Sequence, residues 1–381
     1  MRALAVSSVV AFHLGMTWAP GGYLGVDVFF VLSGFLITAL LLSERDTNGR
    51  ISLSRFYARR ALRLLPALLA VLGALWLFTT VTVVGDSAHR VRGDGLAALF
   101  YFANWRAAFG HAPFLGFMGH AWSLSIEEQF YAVWPLLLVG ALALRGGRRS
   151  IVCLLALTGA VVPPLLRLAW WDGSASTMAR LYYGLDTRAD ALFVGAVLAV
   201  IVASGRLPLG RVARWVYGLL ALGALTVLAH SVATIPRTDP ALYRGVMSLV
   251  AVSTVAVIAH LVASPRGVLG RVLSFPPLAA LGKISYGVYL WHWPVIVATN
   301  PWGRSGGALV AKASIALGLS IVSWWVVERP CLRLKDHFRA PAVSAGSAGG
   351  HERRVRAPRR TAPPRPTGPL APSTAPLRLR G

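Results

Sequence analysis

The chain has 381 residues, of which 56% are hydrophobic and 14% charged, and its mean hydropathy is +0.61. That balance excludes a large soluble domain and describes an integral membrane protein. The formal net charge of +24 would suit nucleic acid, but the arginines crowd the loops after alternate apolar runs, which is the positive-inside pattern, so no nucleic-acid partner is expected.

Apolar runs of about 20 residues, long enough to cross the hydrocarbon core, recur ten times, near 3–19, 23–43, 62–84, 123–144, 151–171, 185–203, 215–235, 243–263, 278–299 and 307–327. The first carries His13 and lacks a small-residue cleavage pattern, so it is expected to be retained rather than removed as a signal peptide. Segment 44–63 holds six arginines. It is expected in the cytoplasm, together with RGGRR at 145–149, the loop of Arg206, Arg211 and Arg214, and both termini. Counting the short run at 96–109 as a span would reverse that sidedness, so it reads as interfacial or re-entrant. Residues 339–381, rich in Pro and Arg, offer too few large apolar side chains to fold and are expected to be a disordered cytoplasmic tail. Residues 1–338 then form one all-α domain, a bundle of about ten transmembrane helices. Cys153 and Cys331 imply neither a disulfide nor a metal site.

Ionisable groups at bilayer depth are costly and mark paths or reaction centres. His13 lies in RALAVSSVVAFH and Asp27 in GGYLGVDVFFVLSGFLIT. Arg2 precedes His13 by eleven residues, about 16 Å along a helix at 1.5 Å per residue. Gly21, Gly22 and Gly25 suit close helix packing or a substrate. In SRFYARRALRLLPA, Arg55, Arg59 and Arg63 share a helix face with Arg60 beside them. The stripe is either a positive-inside anchor or a grip on polyphosphate. HAWSLSIEEQFYAVWPLLL gathers His120, Ser123, Glu127, Glu128, Gln129 and Tyr131, and at least one of the two adjacent carboxylates must point inward. GLDTRADALFVG puts Asp186 and Asp190 on one face. LGKISYGVYLWHWPV adds Tyr289 and His292, which read equally as packed hydrogen-bond partners or as substrate contacts.

These segments, in order and followed by VVERPCLR, resemble the bacterial membrane acyltransferase family 3 over roughly residues 2–335. The resemblance implies transfer of an acyl group, usually acetyl, from acyl-CoA to a sugar hydroxyl of lipopolysaccharide, exopolysaccharide, peptidoglycan or a macrolide. It also implies that Arg2 and His13 are the essential pair of the first helix, that Arg59, Arg60 and Arg63 meet the coenzyme, and that Glu127 and Glu128 form the acidic motif. Family members usually have further residues before the position of Arg2, and many carry a soluble hydrolase-like domain after the last helix. Their absence here suggests an upstream start or a truncation, and puts relay to an outer domain in doubt.

The expectation is therefore an inner-membrane O-acyltransferase with acyl-CoA, expected in its acetyl form, as co-substrate and no permanently bound cofactor or metal. Its partners would be a carbohydrate or glycosylated acceptor and membrane lipids. His13 is expected to act as base, oriented by Asp27, Glu127 or Glu128, with Arg2, Arg59, Arg60 and Arg63 at the donor and Tyr131, Asp190, Tyr289 and His292 at the substrate. An arginine or backbone donor would hold the oxyanion. The alternative is a transporter or flippase of a lipid-linked glycan, since buried charges also mark translocation routes.

Overall fold

The computed structural model describes residues 1–82, 86–110, 116–144 and 149–334. Positions 145–148 of the RGGRR loop and the tail from 339 lie outside the described residues. In chain order the helices are α1 (Arg2–His13), α2 (Gly25–Asn48), α3 (Leu53–Thr82), α4 (Asp86–Leu99), α5 (Ala103–Phe109), α6 (Ala121–Ala143), α7 (Arg149–Trp170) and α8 (Ala175–Tyr183). There follow α9 (Leu185–Arg188), α10 (Asp190–Ala203), α11 (Arg211–Thr234), α12 (Met247–Ala263), α13 (Val268–Leu273), α14 (Pro276–Ala298), α15 (Gly306–Ser323) and α16 (Arg329–Leu334). Among the described residues there is no strand.

Among the described residues, seven helical stretches are long and apolar enough to cross a membrane: α2, α3, α6, α7, α11, α12 with its leading turn, and α15 continued through α16. Two apolar helices are shorter, α1 and α10, and α14 has 23 residues but carries Lys283 and His292. Together they account for the ten expected runs. Large apolar side chains on α7, α11 and α15, among them Leu165, Leu219 and Val322, are exposed. In lipid such a face is ordinary, because the solvent there is hydrocarbon.

Two expected spans end differently from the sequence reading. The first helix stops at His13 instead of continuing to 19, giving 12 residues and a length of about 18 Å. The cause is a left-handed glycine. Gly15 has φ +74°, its N–H donates to Phe12 O (2.9 Å), and the N–H of Met16 donates to Ala11 O (3.0 Å), which is the Schellman closure of a helix. His13 is thus the last helical residue, at a chain reversal inside the bundle. The run at 185–203 is likewise broken: α9 ends at Arg188 and α10 restarts at Asp190. The run at 96–109 divides between α4 and α5, with Tyr101 at φ 55° between them. Neither piece is long enough to span.

The centre is the crossing of α2 and α10. A Cβ on Gly34 would stand 1.8 Å from Leu192 O, and one on Gly195 would stand 2.1 Å from Val31 O. Each glycine admits the other helix's backbone, and in lipid such close packing replaces the hydrophobic drive. Gly22 and Gly25 do the same against the carbonyls of Ser8 and Ala5 on α1. Two ion pairs, each nearly sealed from solvent, surround the break between α9 and α10. Arg188 meets Asp27 of α2 at 3.1 Å, and Arg167 of α7 meets Asp190 at 2.7 Å. A buried ion is tolerable only with such a partner.

Candidate functional site

His13 closes α1 against α14. Its Nδ1 lies 2.9 Å from His292 Nε2, while His292 Nδ1 lies 2.7 Å from Tyr289 O and 3.2 Å from Val288 O. A carbonyl only accepts, so the His292 proton must be on Nδ1 and its Nε2 must be an acceptor. The proton between the two rings therefore belongs to His13, whose Nδ1–H donates. That assignment leaves His13 Nε2 with a lone pair, and the residue lines a cavity of about 450 Å³. The imidazole also packs on Trp293, with ring centroids 4.6 Å apart.

A second cavity, of about 370 Å³, is lined by Arg2, Ser123, Glu127, Ser285, Tyr286 and Tyr289, among others. It holds the N-terminal end of α1 as the first holds the C-terminal end. Val26 and Tyr289 belong to both walls. The Tyr289 hydroxyl donates to His120 O (3.0 Å) and so accepts from Ser123 Oγ, 2.5 Å away. Arg2 Nε donates to Ser285 Oγ at 3.2 Å, and its guanidinium lies 5.3 Å from the Phe29 ring.

None of the acids singled out in the sequence touches His13. Asp27, expected to orient it, takes Arg188 instead. Glu127 accepts from Ser33 Oγ and from the Tyr131 hydroxyl, and Glu128 accepts from Arg60 at 3.3 Å. The side chain that meets His13 Nδ1 is His292, which the sequence suggested only as a substrate contact or packing partner. Asp190, expected at the substrate, has both its oxygens held by Arg167, with Ser248 Oγ donating at 3.0 Å. An acid within lipid needs a cation more than it can offer a free lone pair. Tyr131 lies under the Arg60 guanidinium, 3.4 Å from the ring centroid, and lines neither cavity.

The arginine stripe is one face of α3, continuous with its apolar part. Arg59 pairs with Glu44 at 3.4 Å and Arg60 with Glu128. Arg63 is exposed and makes no hydrogen bond or ion pair within the described residues. Sequence reasoning passed over Trp122, Tyr182, Tyr183, Arg237 and Trp293, all of which line the cavity beside His13. It also passed over Arg167 and Arg188, although each is an arginine inside an expected span and carried the same signal as His13. Burial lifts the Tyr182 hydroxyl well above its usual range, which keeps it neutral. Among the described residues no cluster of His, Cys, Asp and Glu could hold a metal ion.

A family model described as an acyltransferase domain matches residues 1–329. The chain is 37% identical over 352 residues to YrhL of Bacillus subtilis, covering 87% of this chain and 54% of that protein. It is 37% identical over 314 residues to the peptidoglycan O-acetyltransferase OatA of Listeria monocytogenes (79% and 49%). It is 33% identical over 366 residues to the O-acetyltransferase OatA of Staphylococcus aureus strain NCTC 8325 (93% and 60%). The chain thus spans about half the length of these relatives. No solved structure matches it. With the family model covering most of its helices, the chain belongs to the acyltransferase family.

Proposed function

We propose that this protein is an O-acyltransferase of the bacterial cell membrane that moves an acetyl or other short acyl group from acyl-CoA to a sugar hydroxyl. The observation that carries the reading is the fixed tautomer of His13, which presents a basic nitrogen in a cavity rather than to a structural partner. Peptidoglycan is the favoured acceptor, since OatA of Listeria monocytogenes is named for it.

In this mechanism the coenzyme approaches from the side of α3 that bears Arg59, Arg60 and Arg63. By the positive-inside rule, the arginine-rich segment supports reading that side as cytoplasmic. Arg63 is best suited to phosphate, being exposed, while Arg59 and Arg60 already meet Glu44 and Glu128. The acyl thioester would reach past Arg2 toward Tyr289. His13 Nε2 takes the acceptor proton as the hydroxyl oxygen attacks the thioester carbonyl. The C–O bond forms, the C–S bond breaks, and the imidazolium returns its proton to the departing thiolate. Throughout, the His13 Nδ1–H stays hydrogen-bonded to His292 Nε2, so the ring does not turn between the two transfers.

Two cavities with a common wall also suit a glycan translocator, and one assay separates the readings. Purified protein in lipid nanodiscs receives labelled acetyl-CoA and peptidoglycan fragments. Acyl transfer predicts thiol release matched by label in an ester, abolished in His13→Ala at normal protein abundance. Movement of fragments across vesicles without thiol release would overturn it.

A further inference from the structure

The two cavities lie at opposite ends of α1 and adjoin at Val26 and Tyr289, the residues common to their linings. Gly25 fixes the height of that shared wall, because its backbone rests against Ala5 O and Ser8 Oγ of α1. Val26 therefore sits between the levels of Arg2 and His13. Neither side of the wall can retreat. Tyr289 is pinned through its hydroxyl, which donates to His120 O at 3.0 Å and accepts from Ser123 Oγ, and through its carbonyl, which accepts from His292 Nδ1 at 2.7 Å. On the other side, Gly22 and Gly25 bring the backbone of α2 onto α1 with no slack between them. Room at the wall is thus a matter of side-chain size, and Val26 is the aliphatic side chain there, buried to 4% exposure. Phe29, Phe30 and Leu124 continue the apolar surface on the Arg2 side.

We infer that Val26 limits the length of the acyl group and holds the transfer to acetyl. This deepens the acyl-transfer reading and rests on it. In that reaction the coenzyme arrives on the Arg2 side and the base stands on the His13 side, so the thioester carbon reacts at the wall the two cavities share. The substituent on that carbon has to fit beside Val26. An acetyl group brings one methyl. A butyryl group brings two further methylenes, and a close-packed wall with a fixed backbone has no place for them. The two methyl groups of valine occupy about the room that those two carbons need, so Val26→Ala opens it without removing a polar contact. One methylene too many in an apolar site is worth roughly 10–200-fold in rate.

The test lets acetyl-CoA and butyryl-CoA compete in one reaction, with the full chain in nanodiscs and peptidoglycan fragments as acceptor. Mass spectrometry counts the two esters. Their ratio does not depend on how much of the protein is active, so a partly unfolded variant still reports. The unmodified protein should favour acetyl by about 10²-fold, and Val26→Ala should lower that preference about tenfold. Val31→Ala removes the same two methyl groups from a fully buried position of α2 that lines neither cavity, and it should leave the preference unchanged. The inference is overturned if the unmodified protein accepts both chains equally, if Val26→Ala keeps the full preference for acetyl, or if Val31→Ala loses as much of it. Each of these results includes acyl transfer and so leaves the enzymatic reading standing. Absence of thiol release and of ester with either donor overturns the enzymatic reading and the role of Val26 together.

Discussion

A neutral imidazole has one ring N–H, so the partner that claims it decides which nitrogen is left to act as base. Here His292 claims Nδ1 of His13. Removing that acceptor while keeping the ring volume, as in His292→Phe, should let His13 sample the other tautomer. The expected result is a fall in kcat of about 10²-fold, the scale of one misplaced acid–base group, with the donor KM nearly unchanged. His292→Gln, which returns a carbonyl acceptor, should recover part of the loss. Loss of protein from the membrane with normal specific activity would instead mark His292 as a packing residue. Each histidine was legible in the sequence as an ionisable group in an apolar run. Their pairing was not, because 279 residues separate them and the helix end that aims His13 depends on Gly15. The acids were visible for the same reason, but the partners of two of them were not. Asp27 and Asp190 are neutralised by arginines inside neighbouring spans.

At the scale of elements, hydrophobic run length located the helices, and their interruptions came from chemistry that run length does not measure. The Schellman closure at Gly15 had a sequence signal, a glycine followed within five residues by Pro20. The break between α9 and α10 had a weaker one, since DTRADALFVG keeps helical residues through Ala189. What holds the broken α10 in register is its backbone contact with α2. Gly34→Ala should therefore destabilise the bundle, because the added methyl would meet Leu192 O at 1.8 Å and backbone cannot yield as a side chain can. Overpacking of this kind costs roughly 1–3 kcal/mol. Gly140→Ala on α6 is the matched control, with nothing within 4 Å of its Cβ, and should melt at or slightly above the unmodified protein. Thermal unfolding followed by size-exclusion fluorescence reads the difference. Equal melting temperatures for the two variants would show that the crossing of α2 and α10 is looser than its carbonyl contacts require.

Across the whole molecule, ion pairs and ring stacks identify the two ends of the bundle without reference to a bilayer. Arg149, at the start of α7, meets Asp46 near the end of α2 and Ala203 O at the end of α10. Beyond the other end of α7, Trp171 stacks on Tyr243 at 4.8 Å, close to α8 and the loop that carries Arg237. The 22 residues of α7 between these ends span about 33 Å at 1.5 Å each, which matches a hydrocarbon core of about 30 Å. Thr47 and Ser176 are exposed at opposite ends, and by the positive-inside rule the arginines of 44–63 make the Thr47 end the expected cytoplasmic one. In a background with Cys153 and Cys331 replaced, Ser176→Cys should react with an impermeant maleimide in intact cells. Thr47→Cys should react only in inverted vesicles. Labelling of both from one side would refute the crossing of α7. Labelling of each from the opposite side would keep the bundle but put the cavity beside His13, with its acceptor, in the cytoplasm.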